Sequence, residues 1–341
     1  MKNPDYWRSR MEQVMSSELD NADKVCADIQ KVYREAAKSL QDDIRAWYIK
    51  FAKDNQISYS AAKKRLQAGE LEEFRWTVEE YIRRGQENGI SADWGRQLRN
   101  ASARVHISRL EALQIQCYQH AYEASGNLLD KLQALLHKIY ANMYYRNCFE
   151  VQKGIGQGSP FAHITTSVID KILSKPWTDD GIEFSARIWS DRAKLVSQLR
   201  TKLPQSLIRG DPPERLAQQM AKLFDTSQSN ALNLIQTESA HFANQAQSDS
   251  FAELGIDEYE IIVALDDATC PICGDMDGRK FKLSDEQPGI NSPVFHPRCR
   301  CCKAPVVDDL IGERIARNAK SKTYYVPANM SYKEWRRKYV D

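Results

Sequence analysis

Residues 5–55 contain neither glycine nor proline, and Pro4 stands just ahead of them, where its missing N–H costs a first helical turn little. Ala, Glu, Lys, Arg, Gln and Leu dominate the stretch, and these side chains lose little freedom in a helix. Apolar residues recur at Met11, Val14, Met15, Leu19, Val25, Ile29, Val32 and Ala36, a stripe at helical spacing. The segment therefore predicts one long helix. Ser58–Gln67 and Leu71–Asn88 read as shorter helices parted by Ala68-Gly69, with Gly89 as a stop and Ser91 as the next cap. Ala92–Cys148 keeps the helical pattern, with a break expected near Ser125-Gly126-Asn127. The heptads are not clean enough for a sustained coiled coil.

At 341 residues the chain has room for about two domains. The expected division is a helical N-terminal domain at 1–150, a connecting region at 151–184, a C-terminal domain at 185–310 and a basic tail at 311–341. Charge is balanced: residues 1–150 carry 23 basic and 21 acidic side chains, and residues 151–341 carry 25 of each. Neither half is a nucleic-acid-binding block. The tail holds 8 basic against 3 acidic groups, read as a solvated segment or as one that docks on an acidic partner. No apolar run approaches the ~18 residues of a membrane span, and Met1–Arg8 has no hydrophobic stretch, so neither a span nor a signal peptide is expected.

The connecting region is marked by Gly154-Ile155-Gly156-Gln157-Gly158-Ser159-Pro160 and by Pro176-Trp177-Thr178-Asp179-Asp180-Gly181. The first run follows a helical pattern instead of a strand, and no Lys-Ser/Thr comes after it, so a phosphate-binding loop is disfavoured. Tyr140, Tyr144 and Tyr145 just upstream read as a packed helix face, or as a partner-binding surface. A helix is expected at Ser185–Leu203. Asp211-Pro212-Pro213-Glu214 has the form of a helix start, with Asp211 as the cap. A further helix is expected from Thr226 or Ser227 to Leu254, ending at Gly255 with Ile256 placed for a Schellman contact. Tyr259–Leu265 is the first clear strand, Asp277-Gly278 a tight turn before the return Arg279-Lys280-Phe281, and Ala304–Val307 is placed to close a small sheet.

Three of the eight cysteines, Cys26, Cys117 and Cys148, are scattered among helices. The other five, Cys270, Cys273, Cys299, Cys301 and Cys302, fall within 33 residues. Cys270-Pro271-Ile272-Cys273 is followed after 22 residues by His296-Pro297-Arg298-Cys299-Arg300-Cys301. Two close pairs of soft ligands separated by a loop suit a tetrahedral zinc site, and a closed Cys3His shell leaves no coordination position for a reactive water. The expected Zn2+ is thus structural, replacing a core that this turn-rich segment lacks. Five ligands compete for four places: Cys270, Cys273 and Cys299, with His296 or Cys301. Cys302 is disfavoured because adjacent side chains of an extended segment point to opposite faces. A metal-free thiol cluster, or one disulfide in an oxidised particle, is the competing reading.

Thr237-Glu238, Gly255-Ile256, Leu265-Asp266, Thr269-Cys270-Pro271-Ile272-Cys273, Asp277-Gly278 and His296-Pro297-Arg298-Cys299-Arg300-Cys301 together resemble the C-terminal domain of phage Mu F-like minor head proteins, also called head morphogenesis proteins. Tyr144-Tyr145-Arg146, Ile188-Trp189, Leu207-Ile208-Arg209-Gly210, Tyr324-Tyr325-Val326-Pro327 and Glu334-Trp335 are similar to segments of the tailed-phage members. The resemblance covers about residues 140–341 by motif. It implies a structural component of the virion, inside the head near the portal. It implies association with the portal protein during procapsid assembly in the host cytoplasm, with major capsid or scaffolding protein and phage DNA as further partners, and a part in DNA packaging or ejection. It brings no catalytic residue. Some relatives carry a toxin domain after this one, but the ~40 residues following the cysteines here are too few for an enzyme domain.

The sharper alternative is a zinc-dependent DNA-binding protein or a metal-dependent hydrolase or nuclease, with Glu238 as base beside Asp266 and His296. Against it, the chain has no His-Glu-x-x-His, no Gly-x-Ser-x-Gly and no second histidine near His296. Near-zero net charge disfavours dedicated DNA binding, although Arg314, Arg317, Lys320 and Lys322 form a local basic patch. The plainer reading has Glu238 paired with an arginine such as Arg300, with Asp266, as groups that orient the metal ligands. The expected fold is mainly α, with a small α+β C-terminal domain and no enzymatic role.

Overall fold

The computed structural model describes residues 4–54, 109–156, 158, 160–208, 211, 213–264, 269–307, 313–317 and 323–327. The helices expected at Ser58–Gln67 and Leu71–Asn88, with Gly89 and Ser91, lie outside the described residues, as do 92–108.

Helix α1 runs unbroken over Pro4–Asp54. Its buried line is Met11, Val14, Met15, Ala22, Cys26, Ile29, Tyr33, Ala37, Leu40, Ile44 and Tyr48. Val25, Val32 and Ala36, expected on that line, flank it half-buried, because the steps of three and four through Cys26 and Tyr33 keep closer to 3.6 residues per turn.

Helix α2 spans Arg109–Ile155 and passes straight through Ser125-Gly126-Asn127, where a break was expected. Ser125 Oγ donates to the Ala121 carbonyl at 2.9 Å and Asn127 Nδ2 to the Glu123 carbonyl at 2.9 Å, so both side chains fold back on the preceding turn. One helical glycine costs about 1 kcal/mol against alanine, less than the burial of Ala124, Leu128 and Leu132 returns. Tyr140 and Tyr144 are buried, and their hydroxyls reach the Asp249 carboxylate and the Ala162 carbonyl, so this tyrosine cluster mainly packs internally. Gly154 sits in the last turn against Trp7, where a Cβ would meet the indole at 2.1 Å. Gly156, at φ +79°, ends the helix. The glycine run is thus a close approach and a helix stop.

Helices α3 (Thr166–Leu173), α4 (Phe184–Ile208) and α5 (Pro213–Glu253) follow. The start expected at Thr226 or Ser227 is absent: α5 is one helix of 41 residues. Thr226 Oγ1 donates back to the Lys222 carbonyl at 3.0 Å, and Ser227 Oγ reaches the Asp191 carboxylate, so neither hydroxyl is used as a cap. The other end is as expected. Ile256 N–H bonds to the Phe251 carbonyl at 2.9 Å, Gly255 N–H to the Ala252 carbonyl at 3.2 Å, and Gly255 has φ +68°, which together make a Schellman stop.

Strand β1 (Glu258–Ile262) is the centre of an antiparallel sheet with order β2-β1-β3, where β2 is Lys280–Lys282 and β3 is Cys302–Val306. Tyr259 faces Phe281 on one side, and Ile261 faces Lys303 on the other. The chain from β1 to β2 detours through the short helix α6 (Pro271–Met276) before turning at Gly278, whose N–H bonds to the Ile261 carbonyl at 2.9 Å. Within the tail segment, β4 (Glu313–Arg317) and β5 (Thr323–Pro327) pair antiparallel.

The chain forms two units, and three of the long helices contribute to both. One comprises residues 25–132 and 182–232, and its elements among the described residues are all helices. The other comprises 1–24, 133–181 and 233–341 and holds the sheet and the cysteine cluster.

Candidate metal centre

Cys270 caps α6 in an extended conformation, Pro271 begins the helix, and Cys273 N–H donates to Cys270 Sγ at 3.4 Å. A proline just inside a helix start pre-sets φ for this turn, and the N–H···S contact is one that steadies a metal-bound thiolate. The second pair is built by another tight turn. Cys299 N–H donates to the His296 carbonyl at 3.1 Å, with Arg298 between them at φ +61°.

These turns bring the predicted ligands together. Cys273 Sγ lies 3.1 Å from His296 Nε2 and 3.8 Å from Cys299 Sγ. Cys270, Cys273 and His296 form one group, and Cys273, Cys299 and Cys301 another, each with all ligand atoms within 4.8 Å. Cys273 is common to both. Cys302, at the start of β3, is buried and in neither group. Cys273, Cys299 and Cys301 are buried, while Cys270 and His296 are half-buried. A cavity of about 30 Å³ is lined by Cys270, Cys273, His296, Cys301 and the exposed Arg298 and Arg300.

The donor types suit a tetrahedral ion, although the ligand atoms gather as two sets of three that share Cys273. Bonds of ~2.3 Å to sulfur space two ligand sulfurs about 3.8 Å apart, the separation of Cys273 and Cys299. His296 Nδ1 lies 2.7 Å from the Pro297 carbonyl oxygen, which takes a ring N–H and leaves the Nε2 lone pair facing Cys273. A hydrogen bond from Cys301, backbone N–H groups and the nearby His296 hold the Cys299 thiol well below its ordinary range. Burial, then the charge of Cys299, pushes Cys273 up, and the hydrogen bond to Cys299 pushes Cys301 up. Without a cation the cluster supports one thiolate served by its neighbours. A divalent ion reverses that balance and draws each ligating sulfur to the thiolate form.

Residues 197–304 match the family model described as Phage Mu protein F like protein. The chain carries a Phage Mu protein F-like domain. The match runs from within α4 to within β3 and takes in every predicted metal ligand. No curated protein and no solved structure matches the chain.

In the Mu F-like domain, α5 reads the backbone of the ligand-bearing segment. Arg298 N–H donates to Thr237 Oγ1 at 3.1 Å, and Arg298 Nε donates to Asn233 Oδ1. Asn244 Nδ2 donates to the Cys301 carbonyl at 3.1 Å. Glu238 is buried, and its carboxylate accepts from Trp177 Nε1 at 2.9 Å. The Trp177 ring stacks on His241 at 4.1 Å and 9°. Burial, aided by the Lys303 charge, pushes His241 down to about 3, so it is neutral at pH 7. Asp266 lies outside the described residues.

Two features escaped the sequence reading. Trp177, in the connecting region, reaches Glu238 across 61 positions, and no local signal announces that contact. Lys303 is fully buried, with Nζ on Ser248, Glu286 and, at 3.3 Å, Ser292. The strand expected at Ala304–Val307 begins one residue after it, so the sequence did not place this lysine in the sheet.

Proposed function

We propose that this chain is a minor head protein of a tailed bacteriophage that acts with the portal in procapsid assembly, and that its cysteine cluster holds one structural zinc ion. The Mu F-like match at residues 197–304 carries the head-protein part of the reading, since the family is one of structural phage head proteins. The metal part is supported by two ligand groups sharing Cys273 in a largely buried setting. The ligands are Cys270, Cys273 and Cys299, with His296 or Cys301 as the fourth. Zinc suits soft sulfur and imidazole donors without redox chemistry, and four protein ligands leave it no open position.

The role of the ion is a crosslink. It joins the start of α6 to the turn before β3, in a segment where turns outnumber packed elements. Glu238 and Arg300 act around it as structural side chains. The chain resides in the virion head and meets portal, other head proteins and phage DNA there. No helix among the described residues is long and apolar enough to cross a membrane.

Co-purification with portal from assembled heads tests the assembly role, and zinc content of the isolated chain tests the ion. A chain absent from heads that binds DNA with a steep salt dependence would instead favour the DNA-binding alternative.

A further inference from the structure

We infer that Thr237 and Asn233 are positioning residues of the metal centre: they hold Arg298 in its left-handed conformation, and so turn His296 and Cys299 towards Cys273. This rests on the zinc reading above.

The turn His296-Pro297-Arg298-Cys299 closes with Cys299 N–H on the His296 carbonyl at 3.1 Å. That closure sets Arg298 at φ +61°, the one described residue other than glycine at positive φ. Steric contact of Cβ with the backbone disfavours this region for an arginine, and such a residue persists only where its surroundings over-determine it. Two contacts do so here, both from one face of α5. Thr237 Oγ1 takes the Arg298 main-chain N–H at 3.1 Å, and Asn233 Oδ1 takes its guanidinium Nε. Asn233 and Thr237 are four residues apart, hence neighbours on the helix surface. They grip main chain and side chain of the same residue, and neither belongs to a ligand group. If Arg298 left this conformation, the backbone between His296 and Cys299 would re-aim, and the two ligands would no longer face Cys273 together. The same helix contacts the other candidate for the fourth place, Asn244 Nδ2 donating to the Cys301 carbonyl at 3.1 Å. Thr237 thereby has a task distinct from that of its neighbour Glu238, which bonds Trp177.

The test is zinc affinity of the full chain, measured by competition with a chromophoric chelator, with helix content followed by circular dichroism. Thr237→Val keeps shape and removes the acceptor, and is expected to weaken zinc binding by ~10-fold or more, in line with loss of a group that orients a ligand. Thr237→Ser should restore it. Arg298→Gly removes the steric reason for the grip, so in that background Thr237→Val should lose most of its effect. A wild-type chain that takes up no zinc overturns the metal reading and this inference with it. A wild-type chain that binds zinc overturns the inference alone in either of two cases: Thr237→Val binds equally well, or its penalty persists undiminished beside Arg298→Gly.

Discussion

The side-chain amide of Gln247 pairs with both main-chain groups of Lys303: Nε2 donates to the Lys303 carbonyl at 2.6 Å, and Lys303 N–H donates to Oε1 at 2.9 Å. Strand β3 is an edge of its sheet, and these are groups that β1 does not use. A helix side chain thus does for the edge what a fourth strand would do, and keeps a buried N–H and C=O from being orphaned. Gln247→Leu conserves bulk and leaves both groups unpaired. The expected loss is about 2–6 kcal/mol, given ~1–3 for each of the two buried polar groups left unsatisfied, read from chemical denaturation. A loss within experimental error would mean that water reaches this edge.

Gly154 is fixed by the Trp7 indole, which would stand 2.1 Å from an added Cβ. Gly154→Ala must displace a ring that is 4% exposed. Overpacking of this kind costs about 1–3 kcal/mol. The tryptophan emission should shift to the red with the drop in stability, and an unchanged spectrum at full stability would contradict the close approach.

Glu150 is buried, and Arg10 Nη2 donates to its Oε1 at 2.5 Å. That hydrogen bond from Arg10 outweighs burial and holds the carboxyl below its ordinary value of 4.5. A carboxylate depressed in the folded state contributes stability that is complete above its unfolded pKa and is lost as pH falls through the folded value. Stability should therefore decline below about pH 4.5. Glu150→Gln should lower stability at pH 7 and flatten that decline, as measured by thermal unfolding from pH 7 to 3. A mutant with an unaltered acid limb would remove the pair as its source.

Cys273 belongs to both ligand groups, whereas Cys302 belongs to neither. Under the zinc reading, Cys273→Ser abolishes stoichiometric zinc, and chelation of wild type lowers the midpoint of unfolding. Cys302→Ala should retain the ion, with only the loss of a small buried side chain. Equal zinc content in all three proteins would reject the site.

Local rules made much of this molecule legible. The unbroken α1, the Gly255-Ile256 helix stop, the strand at β1 and the paired spacing of Cys270, Cys273, His296 and Cys299 all depend on neighbours a few positions apart. Capping, periodicity and turn chemistry act over that range. The misplaced breaks at Ser125-Gly126-Asn127 and at Thr226 have one cause. Each breaker costs about 1 kcal/mol or less, while the helices are held by buried faces continuing on both sides.

What the amino-acid order settled alone was therefore the run of α1, the stop at Gly255-Ile256, the central strand, and which side chains are chemically able to bind a soft metal ion. Tertiary structure decided the rest: that Gly154 yields space to Trp7, that Gln247 and Lys303 meet, and that α5 grips Arg298 from 61 and 65 residues away. Such contacts depend on the path of the folded chain between distant residues, and no spacing rule reaches that far.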